Sequence, residues 1–190
     1  GHDFRPSYTK IADMIGRLPK RPTVAAFTAT ATPQVKEDIE KLLMLKNPYV
    51  LVTGFDRENL YFEVDKPIDK FSFLIDYVKK NPGSSGIIYC STRKTVESVC
   101  EKLNKKGIAA TRYHAGLNDS ERTANQEAFI YDRVQVIAAT NAFGMGIDKS
   151  DIRYVIHYNM PKTMENYYQE AGRAGRDGEK AECILLYSAA

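Results

Sequence analysis

Short apolar runs of strand length alternate with longer amphipathic stretches through most of this chain. The runs are Gly86–Cys90, Ala110–His114, Val134–Thr140, Tyr154–Tyr158 and Glu182–Tyr187, and Leu60–Val64 adds a further strand ahead of them. In the stretches between and before them, apolar residues recur three and four apart. Phe71, Leu74, Ile75 and Val78 form one such set, and Val96, Val99, Cys100 and Leu103 another. That spacing lays one face of a helix onto a core. Asn118 followed by Glu121 has capping-box spacing, and Gly107 stands just past Lys105 and Lys106 as a helix stop. Strands that alternate with crossover helices predict an α/β domain whose parallel sheet is covered on both faces.

The first third has a different pattern. Residues Pro22–Thr30 read as one buried strand, after which Thr32 and Pro33 supply an N-cap and a first-turn proline. The helix that follows is expected to bury Val35, Ile39, Leu42 and Leu43, with a linker at Lys46–Pro48. One strand with flanking helices does not make a domain, so this part reads as the tail of a sheet whose other strands lie upstream of Gly1. Without those neighbours the strand is expected to be poorly ordered, packed on a second copy, or held by residues outside the chain. The domain reading is therefore 1–47 for the tail and 48–190 for a complete domain.

Composition narrows this picture only a little. The chain has 190 residues, 43% of them hydrophobic and 27% charged, as ordinary globular domains do. A formal net charge of +3 barely favours a polyanionic partner. No apolar run approaches the roughly 18–20 residues that span a bilayer, and the first residues lack the apolar core of a secretory signal. The cytoplasm is the default location, or the nucleus in a eukaryote. Cys90, Cys100 and Cys183 form no C-x-x-C pair, so core packing is expected of them and no zinc site within the chain.

The densest chemistry lies at Tyr167–Gly178, where Arg173 and Arg176 stand three apart among Gly172, Gly175 and Gly178. If the helix capped by Thr163 continues that far, both arginines face one way. Glycines leave them little shielded, and two planar forks of N–H donors suit phosphate oxygens.

From Gln169 to Gly178 the string Gln-Glu-Ala-Gly-Arg-Ala-Gly-Arg-Asp-Gly resembles motif VI of superfamily 2 helicases, in the form typical of the RecQ family. Five further matches follow in order. His2–Pro6 resembles the end of the RecQ aromatic-rich loop, Thr28–Ala31 motif III, and Phe55–Asn59 the start of the second motor domain. Gly86–Arg93 resembles motif IV, with Tyr113–Leu117 after it, and Ala139–Asp148 resembles motif V. The resemblance implies a RecA-like (P-loop NTPase-type) parallel sheet flanked by helices, preceded by a partial RecA-like segment.

It also implies an ATP-dependent DNA helicase moving 3′ to 5′ on single-stranded DNA and separating duplexes in recombination and repair, with DNA-repair proteins as partners and no membrane. By that resemblance Arg176 is the arginine finger on the γ-phosphate and Arg173 its partner, making a phosphate or an interdomain contact. Gln169 lies near the nucleotide and Asp148 near the nucleotide or the domain interface, although a strand-end cap is an equal reading of Asp148. Ser91, Thr92, Arg93 and Thr140 contact the DNA backbone, with helix capping open for Ser91. His2, Phe4 and Arg5 sense single strands, and Thr28 and Thr30 couple the two sites, unless the threonines are ordinary strand-end residues. His114 reads equally as a satisfied strand-end histidine.

The phosphate loop G-x-x-x-x-G-K-[ST] and the Asp-Glu magnesium motif are not in this sequence. ATP and Mg²⁺ are therefore expected to bind mainly to an upstream domain, zinc only to a downstream one, and the chain alone is expected to be inactive as an ATPase. Two alternatives remain: a non-catalytic nucleic-acid-binding module with a degenerate motor, and an RNA helicase of the same superfamily, against which Gln169 and the His2–Pro6 string argue. A dinucleotide-dependent oxidoreductase fails for want of G-x-G-x-x-G.

Overall fold

The structure, a computed structural model, describes residues 10–28, 32–52, 56–144 and 147–188. The chain divides into two compact units, Gly1–Phe55 and Asp56–Ala190, so the division falls somewhat later than the expected 47/48 boundary.

In the first unit, helix α1 (Ile11–Gly16) and helix α2 (Pro33–Leu42) are joined by irregular chain. Thr32 caps α2 by accepting the Val35 N–H, and Pro33 opens it, as the sequence predicts. Arg21 donates to the carbonyls of Leu43 and Met44 at the other end, where a cation complements the helix dipole. Two expectations fail. Residues 22–28 form no strand, and Phe27 is 94% exposed; an extended segment becomes a strand only by pairing, and this unit offers no partner strand among its described residues. Nor does α2 bury its apolar stripe, since Val35 and Leu42 are exposed and Ile39 and Leu43 only half-buried.

The second unit is built on six strands: β1 (Leu60–Asp65), β2 (Ser85–Tyr89), β3 (Ala110–Tyr113), β4 (Val136–Ala139), β5 (Ile152–His157) and β6 (Ala181–Leu186). They lie in the order β1-β6-β5-β2-β4-β3, every pairing parallel. Helices α3 (Lys70–Lys80), α4 (Arg93–Lys105), α5 (Asp119–Ile130) and α6 (Met164–Ala171) make the crossovers. The six strands predicted for this unit are all found, with ends shifted by a residue or two.

Each face of the sheet has its own core. Leu74, Ile75 and Val78 of α3 and Val96, Val99, Cys100 and Leu103 of α4 pack on Ile88, Val136, Ala138, Tyr154 and Ile156. On the other face Phe129 of α5, Phe143 and Ala171 of α6 pack on Ile87, Tyr89, Ile137, Ala139 and Val155. Alternation along β2 and β4 divides their residues between the two cores, as a pleated strand buried on both sides requires. Each fully buried Leu, Ile or Val contributes about 1.5–3 kcal/mol, so the sheet does not depend on ion pairs. Asn118 caps α5 by accepting the Glu121 N–H, but the Glu121 carboxylate pairs with Arg112, so it is not free to close the other half of the capping box. No helix among the described residues is long and apolar enough to cross a membrane.

Candidate functional site

Helix α6 starts where expected, with the Thr163 hydroxyl accepting from Asn166 N–H, but it ends at Ala171 with Gly172 as C-cap. Arg173 and Arg176 therefore lie in the turns beyond it, not on a continued helical face. What aligns them are Gly144 and residues 147–151, which lie between β4 and β5 in the chain. Arg173 donates to the Gly144 carbonyl, Arg176 to the Ile147 carbonyl at 3.2 Å, and Asp177 N–H to the Ser150 carbonyl at 3.2 Å. Three carbonyls at three-residue intervals, those of Gly144, Ile147 and Ser150, thus hold Arg173, Arg176 and Asp177. Gly144 has φ +128°, and a Cβ there would collide with the Arg173 guanidinium, so only glycine allows this approach.

The turn is also gripped from behind. Arg57 NH2 donates to the carbonyls of Ala174 (3.0 Å) and Gly175 (2.6 Å). Asn59 Nδ2 donates to those of Gly175 and Glu179, both at 2.8 Å. Arg153 forms a bidentate pair with Asp177 at 2.6 and 2.7 Å. This bond holds the Asp177 carboxyl below the usual aspartate range. Arg173 is half-buried and Arg176 exposed. With one of the five guanidinium donors of Arg176 on Ile147, the rest remain available to an anion.

A second group of predicted residues gathers at the carboxyl edge of the sheet, where open parallel sheets bind ligands. Strands β2 and β4 are neighbours, so Ser91 and Thr140 emerge side by side; Cys90 N–H donates to the Ala139 carbonyl and Thr140 N–H to the Tyr113 carbonyl. Thr92, not Ser91, caps α4, accepting the Thr95 N–H at 3.1 Å. Ser91 is exposed and donates its N–H to Asn159 Oδ1. The exposed Arg93 arches over Gly116, whose Cβ would stand 3.1 Å from its guanidinium.

His114 is the satisfied strand-end residue. Gly116 N–H donates to its Nδ1, which leaves the proton on Nε2 to bond Glu97 at 2.7 Å. Arg112 Nε lies 2.9 Å from the other Glu97 oxygen, near enough to pair charges but off the line of a hydrogen bond.

Asp148 is exposed within 144–151, two residues before Ser150, and Gln169 is exposed on α6. Thr28 is exposed in the irregular part of the first unit. His2, Phe4, Arg5 and Thr30 lie outside the described residues. Among the described residues no cluster of three or more His, Cys, Asp or Glu stands ready to hold a metal ion.

The profile of the helicase conserved C-terminal domain matches residues 69–178. The chain belongs to that family, in its RecQ branch. It is 51% identical over 188 residues to the ATP-dependent DNA helicase RecQ of Bacillus subtilis, covering 99% of this chain and 32% of that protein. It is 48% identical to the RecQ-like DNA helicase BLM of Xenopus laevis, covering 99% of this chain and 14% of that one. The chain thus spans a third or less of these relatives. Among solved structures, S. cerevisiae Dbp5 bound to RNA and ADP BeF3 superimposes with a TM-score of 0.79 at 25% identity, over 94% of this chain and 48% of Dbp5. The fold is accordingly the RecA-like one of helicase C-terminal domains.

Five contributors escaped the sequence reading: Arg57 and Asn59 as grips on the arginine turn, and Tyr89, His157 and Glu170 beneath it. Arg57 and Asn59 act across more than a hundred residues of chain, a distance no local pattern reports. The buried acid–histidine pair left one signal, a histidine ending an apolar strand.

Proposed function

We propose that residues 48–190 are the second motor domain of an ATP-dependent DNA helicase, with 1–47 the tail of the first. The motor steps 3′ to 5′ along single-stranded DNA and separates duplexes in recombination and repair. Supporting this most directly is the delivery of two arginines on one turn fixed from both sides, with Arg176 exposed. A guanidinium fixed in advance stabilises charge growing on a transferring phosphoryl group without reorganising, worth about 10³–10⁵ in rate. In this reading Arg176 meets the γ-phosphate of ATP held by the first motor domain, Arg173 supports it, and Asp148 and Gln169 lie beside the nucleotide. Mg²⁺ would be held mainly by that other domain and would neutralise phosphate charge there. Ser91, Thr92, Arg93 and Thr140 would grip the sugar-phosphate backbone, which positions a strand without reading its sequence. His2, Phe4 and Arg5 would sense the single strand, and Thr28 and Thr30 would couple the two sites. DNA is favoured over RNA because the RecQ DNA helicases are far closer in sequence than the RNA-bound neighbour.

The test is Arg176→Ala in the complete motor. DNA-stimulated ATP turnover should fall by about 10³-fold or more while single-strand affinity stays within about threefold, there being no reason for a phosphate-facing residue to serve DNA. Unchanged turnover would remove the reading. The 190-residue chain alone should bind single-stranded DNA weakly and hydrolyse no ATP.

A further inference from the structure

Beneath the arginine turn lies a polar cluster that neither nucleotide nor DNA would touch. Tyr89 ends β2, His157 ends β5, and the two are register partners in neighbouring strands. Their side chains leave the same face, and the rings stack with centroids 5.4 Å apart at 21°. Tyr167 of α6 also lies against the imidazole, tilted at 58° with centroids 4.9 Å apart. His157 is 1% exposed, and its Nε2 lies 2.9 Å from Glu170 Oε2. As a carboxylate can only accept, the ring donates from Nε2, and Nδ1 has no protein partner among the described residues. Burying an acid with an imidazole costs desolvation that an apolar pair of similar volume avoids, so stability alone does not account for it.

Both ends of Arg173 are referenced to this pair. The Glu170 carbonyl accepts the Arg173 backbone N–H at 3.3 Å, one turn after its side chain is anchored. On the other arm, Tyr89 Oη donates to the Phe143 carbonyl at 3.2 Å, and the next carbonyl, that of Gly144, takes the Arg173 guanidinium. Burial pushes the Tyr89 phenol well up, and the charge of Arg173 pulls it the other way, as expected of groups in one cluster. The contacts close a ring from Glu170 to His157, Tyr89, the 143–144 carbonyls, Arg173, and back to Glu170.

We propose that the buried Glu170–His157 pair, acting through Tyr89, is the positioning device that fixes Arg173 against the Gly144 carbonyl. This rests on the reading that Arg173 serves the nucleotide site. None of the three residues meets phosphate; each acts through Arg173. Directional bonds hold the later part of the turn, Gly175 N–H to the Ile152 carbonyl and Arg153 to Asp177, but α6 itself otherwise meets β5 through apolar and ring contacts, so the Glu170–His157 bond sets where the turn begins.

The test has two arms. In the 190-residue chain, the Arg173 Nε–H resonance reports the side chain directly, its Nε being buried. Tyr89→Phe keeps the ring stack and removes only the hydroxyl; His157→Gln keeps a donor for Glu170, and His157→Leu does not. Tyr89→Phe and His157→Leu should shift and broaden the Arg173 signal, while His157→Gln should largely restore it. An unchanged signal in folded Tyr89→Phe overturns the proposal, and so does failure of His157→Gln to differ from His157→Leu. In the complete motor, Tyr89→Phe should lower kcat for ATP by on the order of 10- to 100-fold, as a misplaced group does, with KM within twofold; equal change in both overturns it. Should Arg173→Ala leave turnover intact, the nucleotide role of Arg173 fails, while the resonance still decides the positioning claim.

Discussion

Asn59 Nδ2 donates to the carbonyl of Gly175 at 2.8 Å, joining the residue before the first strand of the sheet to the turn before the last. Gly175 has φ +54°, and a Cβ there would stand 2.5 Å from that nitrogen and 2.7 Å from the Glu179 carbonyl. Gly178, three residues on, has φ +86° with open space around it.

The two glycines should therefore respond differently to alanine. At Gly178 the cost is the left-handed backbone alone, about 1–2 kcal/mol. At Gly175 the same cost is joined by overpacking against backbone, about 1–3 kcal/mol more. Urea denaturation of both variants measures the difference; equal midpoints would mean that Asn59 yields freely.

The Asp177 carboxyl, held low chiefly by its bond to Arg153, makes acid the relevant challenge to the turn. A depressed folded value means that the stabilisation is complete above the ordinary aspartate value near 3.8 and is lost as pH falls through the lower folded one. Carboxyl NMR should give Asp177 a midpoint below that value, returning towards it in Arg153→Leu.

Lys149 presents the opposite sign. Its side chain is 3% exposed and lies 2.8 Å from Asp132 and 3.0 Å from Asp151. Burial works against its charge, but the bonds to the two carboxylates outweigh it and its pKa is raised. Stability from this group is full below 10.5 and disappears as pH rises through the folded value. Asp132→Asn should cost about 1–2 kcal/mol at neutral pH, as loss of a charge-assisted bond does, and the difference from the parent chain should shrink in strong alkali. Thermal melts from pH 7 to 11 measure both.

All three cysteines are buried, and burial pushes the Cys90 and Cys183 thiols up to about 12. A thiol-disulfide reagent at pH 8 should label none of them in the folded chain and all of them in denaturant, since the thiolate is the reactive form. Fast labelling of any one would place it at the surface.

The sheet was legible because its signals are local. Strands such as Ile87–Tyr89 are apolar on both faces, and Val96, Val99, Cys100 and Leu103 repeat at helical spacing, so each element declares itself within its own length. The N-terminal segment was misread for the same reason: apolar residues at 22–28 have strand composition, but pairing is a property of neighbours. The arginine turn lay between these cases. Its residues are evident in the sequence, but the continued helix that would align them does not form: Gly172 ends α6, and the alignment of Arg173 with Arg176 comes from the carbonyls of Gly144 and Ile147. Placement of Ser91, Thr92 and Thr140 at one edge follows from parallel strands, although only the folded geometry gives the cap to Thr92.

The spacing of those carbonyl contacts along 144–151 carries a kinetic consequence. Neither residues 147–151 nor the arginine turn has a regular ladder of its own, and on the side away from Arg57 and Asn59 each is held by the other. Opening one removes the bonds that hold the other on that side, so the two should fluctuate as a single cooperative unit. Amide exchange at Ile147 and at Asp177 should then report one shared opening free energy, despite the thirty residues of chain between them.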